Sequence, residues 1–171
     1  MKALILAAGY ATRLYPLTKD KPKPLLMIGK KTIADHLIQK LGDIKEIDTI
    51  CIVTNDKFFG AFNDWLKTVK SSQKIVLEND GSTANENRLG AIGDIRFVLE
   101  RQKIHDDLLV LAGDNMFDWG LKDFADFAKE KPDTFATGAY DIGDRSKANI
   151  YGVIEMAKSG KLVCFREKPE D

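Results

Sequence analysis

The sequence predicts an α/β fold: a mainly parallel sheet with helices on both faces. Three observations carry this reading. Strand-like and helix-like patterns alternate along the chain. Several strand-like runs are continuously apolar, as in strands buried on both faces. A strand-turn-strand pattern near the C-terminus adds an antiparallel pair.

The elements follow in order. Lys2 to Ala7 is a short apolar strand. With Met1 before it, it resembles a short secretory signal. The apolar run is at the lower length limit and Arg13 and Lys19 follow closely, so it reads as a buried strand. Thr32-x-x-Asp35 forms a capping box that opens a helix with Ile33, Leu37 and Leu41 inward. Ile47 to Thr54 is the second strand. Asp56 is placed to cap a helix whose stripe of Phe58, Phe62, Trp65 and Val69 reads as core.

Lys74 to Leu77 is the third strand, and a polar loop runs from Glu78 to Asn87. Leu89 to Leu99 reads as a helix despite Gly90 and Gly93. Each glycine costs about 1 kcal/mol against alanine, which points to close packing on the sheet. Leu108 to Ala112 is the fourth strand and Leu121 to Ala128 a helix. Thr134 to Tyr140, Tyr151 to Met156 and Leu162 to Glu167 read as strands, the last two joined by Lys158-Ser159-Gly160-Lys161. No repeat, linker or low-complexity tract interrupts the pattern, so residues 1–171 are expected to form a single domain.

Composition narrows the function. The chain has 171 residues, enough for a sizeable core. Lys+Arg and Asp+Glu are both 26, so the net charge is zero, which argues against a broad nucleic-acid-binding face. No segment has the length of a membrane span. Neither nucleic acid nor membrane is expected as a partner. Cys51 and Cys164 lie in apolar runs without metal-ligand spacing and read as buried, reduced thiols of a cytoplasmic protein. His36 and His105 have no partners at useful spacing.

The first strand runs into Ala7-Ala8-Gly9-Tyr10-Ala11-Thr12-Arg13-Leu14, a loop of small residues ending in an arginine. A second loop, Lys21-Pro22-Lys23-Pro24, holds a lysine between prolines. Small residues let backbone N–H groups approach an anion. Arg13 offers a planar fork for phosphate and Lys23 a compact charge. The C-terminal end of a strand is where open α/β sheets bind ligands. A nucleoside triphosphate is the expected partner. Two commoner phosphate motifs do not fit. A Walker loop ending at Gly29-Lys30 needs its first glycine at Pro24, and the dinucleotide fingerprint fails at Ala11 and Leu14.

Asp114 ends a strand in Gly113-Asp114-Asn115. A hard carboxylate there suits Mg²⁺, which needs one or two protein carboxylates beside phosphate oxygens. Glu167-Lys168-Pro169 ends the last strand. Its lysine suits a phosphate monoester and its glutamate sugar hydroxyls. The loop Glu78 to Arg88 is rich in amide and hydroxyl groups that suit base edges or sugar hydroxyls, and Asn87 is also placed to cap a helix.

Leu6-Ala7-Ala8-Gly9-x-Ala11-Thr12-Arg13-Leu14-x-Pro16-x-Thr18, followed by Pro22-Lys23-Pro24, resembles the signature of the sugar-1-phosphate nucleotidyltransferases of the glucose-1-phosphate thymidylyltransferase type. Leu111-Ala112-Gly113-Asp114-Asn115, and Tyr151-Gly152-Val153 leading to Glu167-Lys168-Pro169, also match, in the family's order and across the whole chain. The resemblance implies a Rossmann-like three-layer α/β/α fold. It implies transfer of a nucleotidyl group from a nucleoside triphosphate to a sugar 1-phosphate, giving a nucleoside diphosphate sugar and pyrophosphate, with Mg²⁺. Arg13 and Lys23 are then catalytic. Leu6, Ala8, Gly9, Ala11, Thr12, Asn79 and Gly81 bind nucleotide, and Asp114 binds metal. Asn87, Gly152, Glu167 and Lys168 hold the sugar phosphate.

The family usually has glycine at the place of Ala11, and Asn85-Glu86-Asn87-Arg88 departs from its forms, which leaves base and sugar open. Relatives are often homo-oligomers. They take a second metal-binding aspartate from a later strand, whereas this sequence ends three residues after Lys168. The domain is therefore expected to be incomplete at its C-terminus, binding nucleotide with Mg²⁺ but turning over slowly. Two other readings stay open at this level: a cytidylyltransferase for another phosphorylated alcohol such as phosphocholine, and a non-catalytic nucleotide-sugar-binding regulatory module.

Overall fold

A computed structural model describes residues 1–131 and 134–169. Its centre is a four-stranded parallel sheet of β1 (Lys2–Leu6), β4 (Thr49–Thr54), β5 (Lys74–Asn79) and β6 (Leu108–Ala112), in the order β5-β4-β1-β6. In register, Leu6 of β1 stands between Val53 of β4 and Ala112 of β6. The loops after β1 and β6 therefore leave the sheet side by side.

Alternation along the strands builds two buried clusters. Ala3, Ile5, Ile50, Ile52, Leu109 and Leu111 share one with α1 (Ile33–Gly42), α2 (Asp56–Leu66) and α4 (Leu121–Lys129). Leu4, Cys51 and Val53 share the other with Val98 of α3 (Gly90–Gln102). The sheet thus has helices on both faces, three on one and one on the other.

The capping box at α1 forms as its spacing predicts: Asp35 N donates to Thr32 Oγ1 at 3.0 Å and Thr32 N to Asp35 Oδ2 at 2.8 Å. At α2 the cap is Asn55, not Asp56. Its Oδ1 accepts from Phe58 N at 3.0 Å, because Asn55 is the residue that keeps extended backbone. Phe58, Phe62 and Trp65 are buried as expected; α2 ends at Leu66, so Val69 lies beyond the helix but still packs, half-buried, against the same core.

β5 continues through Glu78 and Asn79, which the polarity of Glu78 hid. Glu78 is buried and paired with Arg101 at 3.0 Å and with Gln102, both from the end of α3. The glycines of α3 have reasons other than close packing on the sheet. Gly90 has φ +76° at the helix start, and a Cβ on Gly93 would fall 2.8 Å from Leu89 Cβ. A small hairpin, β2 (Met27–Ile28) with β3 (Lys31–Thr32), turns at Gly29 and was not legible as strand.

The chain divides into two compact units, Met1–Lys129 and Glu130–Asp171. In the second, β7 (Gly152–Met156) and β8 (Leu162–Glu167) form an antiparallel pair with Gly152 opposite Glu167. The pair is a two-stranded sheet of its own, separate from the parallel sheet. Its turn carries Gly160 at φ +80°, a left-handed conformation that glycine adopts freely. Thr134 to Tyr140 is not a strand. Its residues find no pairing partner among the described residues and are mostly exposed, and β-propensity without a partner makes no ladder. Among the described residues no helix is long and apolar enough to cross a membrane.

Candidate active site

The loop after β1 is fixed by its carbonyl groups. Ala7 O accepts from Thr54 Oγ1 at 3.4 Å, and Ala8 O from Asn55 Nδ2 at 2.9 Å. Ala11 O accepts from Thr18 Oγ1 at 2.8 Å and from Leu14 N at 3.0 Å. Thr18, Thr54 and Asn55 are fully buried, so these anchors are shielded from water. Among the described residues the N–H groups of Gly9, Ala11 and Thr12 have no internal hydrogen bond. Such groups remain available to an anion.

Ala11 sits at φ 47°, ψ 39°, in the left-handed region. That conformation costs a residue with a Cβ about 1 kcal/mol. It gives a physical reason why glycine suits this place. Strain held by buried contacts is characteristic of functional loops. Arg13 lies in the short 3₁₀ turn Thr12–Leu14, is exposed, and makes no ion pair among the described residues. Leu6 contributes differently from Gly9. Its carbonyl accepts from Gly113 N at 2.8 Å and its side chain packs toward α3.

Lys23 opens a 3₁₀ turn, Lys23–Leu25, whose Pro24 and Leu25 are buried. Its Nζ donates to Asp114 Oδ2 at 2.9 Å. The expected phosphate lysine and the expected metal carboxylate are thus in contact, both partly exposed. Gly113 makes the approach sterically feasible. A Cβ there would lie 2.7 Å from Leu6 O and 3.2 Å from Pro24 Cγ. No group of three or more His, Cys, Asp or Glu side chains suited to a metal occurs among the described residues. Farther along, Lys40 of α1 donates to Trp119 O at 2.9 Å and lies over the Phe117 ring, tying the segment after Asp114 to α1.

After β5, Asn79 Nδ2 donates to Asp56 Oδ1 at 2.8 Å and Asn79 Oδ1 accepts from Gly81 N at 2.9 Å, with Gly81 at φ +76°. Asn87 is occupied within the loop. Its Oδ1 accepts from Thr83 N and Ala84 N, and its Nδ2 donates to Thr83 Oγ1. It does not cap α3, which Leu89 precedes; its bond from Ala84 N instead closes the short 3₁₀ turn Asn85–Asn87. Tyr10 of the first loop donates its OH to Ser82 O at 3.0 Å, joining the two loops. Burial, chiefly, and the nearby Asp80 push the Tyr10 hydroxyl above its ordinary pKa.

In the second unit Gly152, Glu167 and Lys168 come together at the open end of the hairpin. Lys168 Nζ is 3.8 Å from Glu167 Oε1, and Lys168 N donates to Tyr151 O at 3.0 Å. A Cβ on Gly152 would meet the Phe165 ring at 2.9 Å and Glu167 Oε2 at 3.2 Å. Lys168 has φ 46°, again left-handed without being glycine.

Several residues that build the site were missed in the sequence. Thr18, Asn55, Tyr10 and Ser82 hold the loops through contacts up to 72 residues apart, which no local pattern encodes. Only Thr18 carried a signal, as the last residue of the first motif. Both cysteines are free, but Cys164 is half-exposed where burial was expected, because its strand belongs to a two-stranded sheet.

Residues 2–171 match the model of the nucleotidyl transferase family, and the chain belongs to that family. It is 30% identical over 173 residues to a protein assigned as a mannose-1-phosphate guanyltransferase in Sulfolobus acidocaldarius, covering 99% of this chain and 44% of that protein. It is 28% identical over 171 residues to the bifunctional protein GlmU of Methanococcus maripaludis, covering 99% of this chain and 36% of that protein. The chain thus spans less than half the length of these curated relatives. A crystal structure described as a glucose-1-phosphate thymidylyltransferase from Bacillus anthracis, in complex with sucrose, superposes with a TM-score of 0.74 at 23% identity. It covers all of this chain and 65% of that one, and bears out the nucleotidyltransferase fold.

Proposed function

We propose that this protein transfers a nucleotidyl group from a nucleoside triphosphate to a sugar 1-phosphate. The observation that carries the reading is the meeting of Lys23 with Asp114 beside a strained, carbonyl-anchored loop, at the ends of the neighbouring strands β1 and β6. In this reaction an oxygen of the sugar phosphate attacks the α-phosphorus. The bond from the α-phosphorus to the bridging oxygen breaks, and pyrophosphate leaves. Both reactants are anionic, so alignment and charge neutralisation dominate catalysis. The Gly9, Ala11 and Thr12 amides and Arg13 cradle the triphosphate, and Lys23 neutralises the reacting phosphates. The attacking phosphate is already ionised at pH 7, so no general base is needed. Lys168 and Glu167, beside Gly152, grip the acceptor; Asn79 and Gly81 face the nucleotide.

The donor set fits Mg²⁺ weakly held: Asp114 gives one carboxylate, and Mg²⁺ readily takes the rest of its shell from phosphates and water. When bound, Mg²⁺ would neutralise the triphosphate and favour the leaving pyrophosphate. Lys23 would then pass from Asp114 to phosphate. The free thiols Cys51 and Cys164 support a cytoplasmic setting.

Pyrophosphate release, screened across nucleoside triphosphates and sugar 1-phosphates, tests the reading. Release dependent on one sugar phosphate is the expected result. Release only with phosphocholine and CTP would replace the acceptor class, and nucleotide-sugar binding without release would make the chain a binding module.

A further inference from the structure

One polar cluster lies outside the chemistry above. Asp94, in the second turn of α3, is 5% exposed, and its Oδ1 has no hydrogen-bond donor. Asp80, in the loop after β5, lies within hydrogen-bonding reach of it, and Asp80 Oδ2 is also buried without a donor. Two neighbouring carboxylates that each keep a buried oxygen without a donor cannot both stay ionised and unsatisfied. One proton between them satisfies both.

The other oxygen of Asp80 is engaged. Asp80 Oδ1 accepts from Ser82 N and from Ser82 Oγ, each at 2.7 Å. Ser82 O in turn accepts from Tyr10 OH and, at 2.9 Å, from Asp56 N. The path thus runs from α3 through the β5–α3 loop to the loop after β1. We propose that Asp80 and Asp94 share one proton, that this proton fastens the β5–α3 loop to α3, and that Asp94 is thereby a positioning residue for the loop that carries Tyr10.

The surrounding charges favour the proton. Burial and then Asp80 push Asp94 up to about 7 from an ordinary 3.8. Asp56 from α2 and Glu86 from the β5–α3 loop add negative charge around Tyr10, at the far end of the same path. On α3 itself Arg96 pairs with Glu100, and Arg101 pairs with Glu78 of β5, so these cations are engaged elsewhere. Because the folded value is raised, the contribution is complete below about pH 4 and is lost as pH rises to about 7. Above that, two adjacent carboxylates repel and the loop loosens.

The effect on ligand binding rests on the functional reading above; the effect on stability does not. The experiment therefore reads both. Thermal melting from pH 4.5 to 8 compares the wild type with Asp94→Asn and Asp80→Asn, whose amides donate the missing hydrogen bond at any pH. Relative to either variant, the wild type is expected to lose on the order of 5 °C in Tm across this range. A difference that does not change with pH, in both variants, overturns the shared proton. Titration with the Mg²⁺ complexes of ATP, GTP, CTP, UTP and dTTP at pH 6 and pH 8 reads the coupling. The wild type is expected to bind whichever nucleotide it accepts roughly tenfold more weakly at pH 8, and Asp94→Asn equally at both. Parallel pH profiles overturn the positioning role. If none of these nucleotides binds at either pH while the melting difference appears, the pair stands and the functional reading fails.

Discussion

The loop after β1 and the open end of the β7–β8 hairpin both carry candidate ligand-binding groups, and they are built in opposite ways. In the first, the chain is pinned by buried side chains, and Thr18, Thr54 and Asn55 each hold a carbonyl. In the second, Glu167 and Lys168 are exposed, and the backbone is held by one ladder partner and one hydrogen bond to Tyr151. The first is shaped before any ligand arrives. A bound anion there meets amides already in place and loses little ordering entropy. The second presents charge on a short two-stranded sheet, whose isolated stability is marginal. Both use a left-handed residue other than glycine, Ala11 and Lys168, to aim the chain. Only the first surrounds that residue with buried anchors.

Asp114→Asn strikes the rigid side hardest in chemistry and least in folding. It is expected to lower turnover at least a thousandfold, about 4 kcal/mol, while leaving the melting temperature nearly unchanged, because its ion pair with Lys23 is partly exposed. Pyrophosphate release and melting, measured on the same preparation, decide it. Turnover near wild type would remove Asp114 from the metal role.

Asn55→Ala should do the reverse. It removes the α2 cap and leaves Ala8 O buried without a donor, together about 3 kcal/mol, or about 10 °C in Tm for a chain of this size. A loss below about 1 kcal/mol would mean that the loop is less rigid than its contacts imply.

Lys168→Ala tests the hairpin. Stability should not change, since the side chain is exposed and its contact with Glu167 is long. The KM for the sugar phosphate should rise roughly 30-fold, about 2 kcal/mol, with little change for the nucleotide. Equal effects on both substrates would contradict the division of labour between the two regions. The smallest effect is expected from Ala11→Gly, which relieves the left-handed alanine and should raise stability by about 1 kcal/mol or less. A loss on melting would show that the methyl group packs usefully.

The same contrast explains how much was legible in the sequence. Features encoded by neighbours in the chain were readable. The Thr32–Asp35 cap, β1, β6 and β8, the Lys23 and Asp114 positions and the Gly152–Glu167 pairing of motifs all rest on local patterns. Features that depend on tertiary contact were not. Glu78 looked like loop because its partners, Arg101 and Gln102, lie more than twenty residues away. Asn87 read as a sugar-phosphate residue that was also placed to cap a helix; the bonds by which it closes its own loop were not legible. Thr134 to Tyr140 had the composition of a strand without a neighbour to pair with. Asp94 lies in a run that local pattern does not single out; its burial appears only when α3 packs.

Asp35 closes the α1 cap through Thr32 and also accepts Trp65 Nε1 of α2 at 3.0 Å. Burial opposes its charge, but the bonds from Thr32 and Trp65 outweigh that and hold its pKa below the ordinary range. The joint between the two helices is therefore also the end of one of them. Such a joint does not loosen by stages. In hydrogen exchange, the amides of the last turn of α2 and the first protected amides of α1 should open together, with one shared free energy.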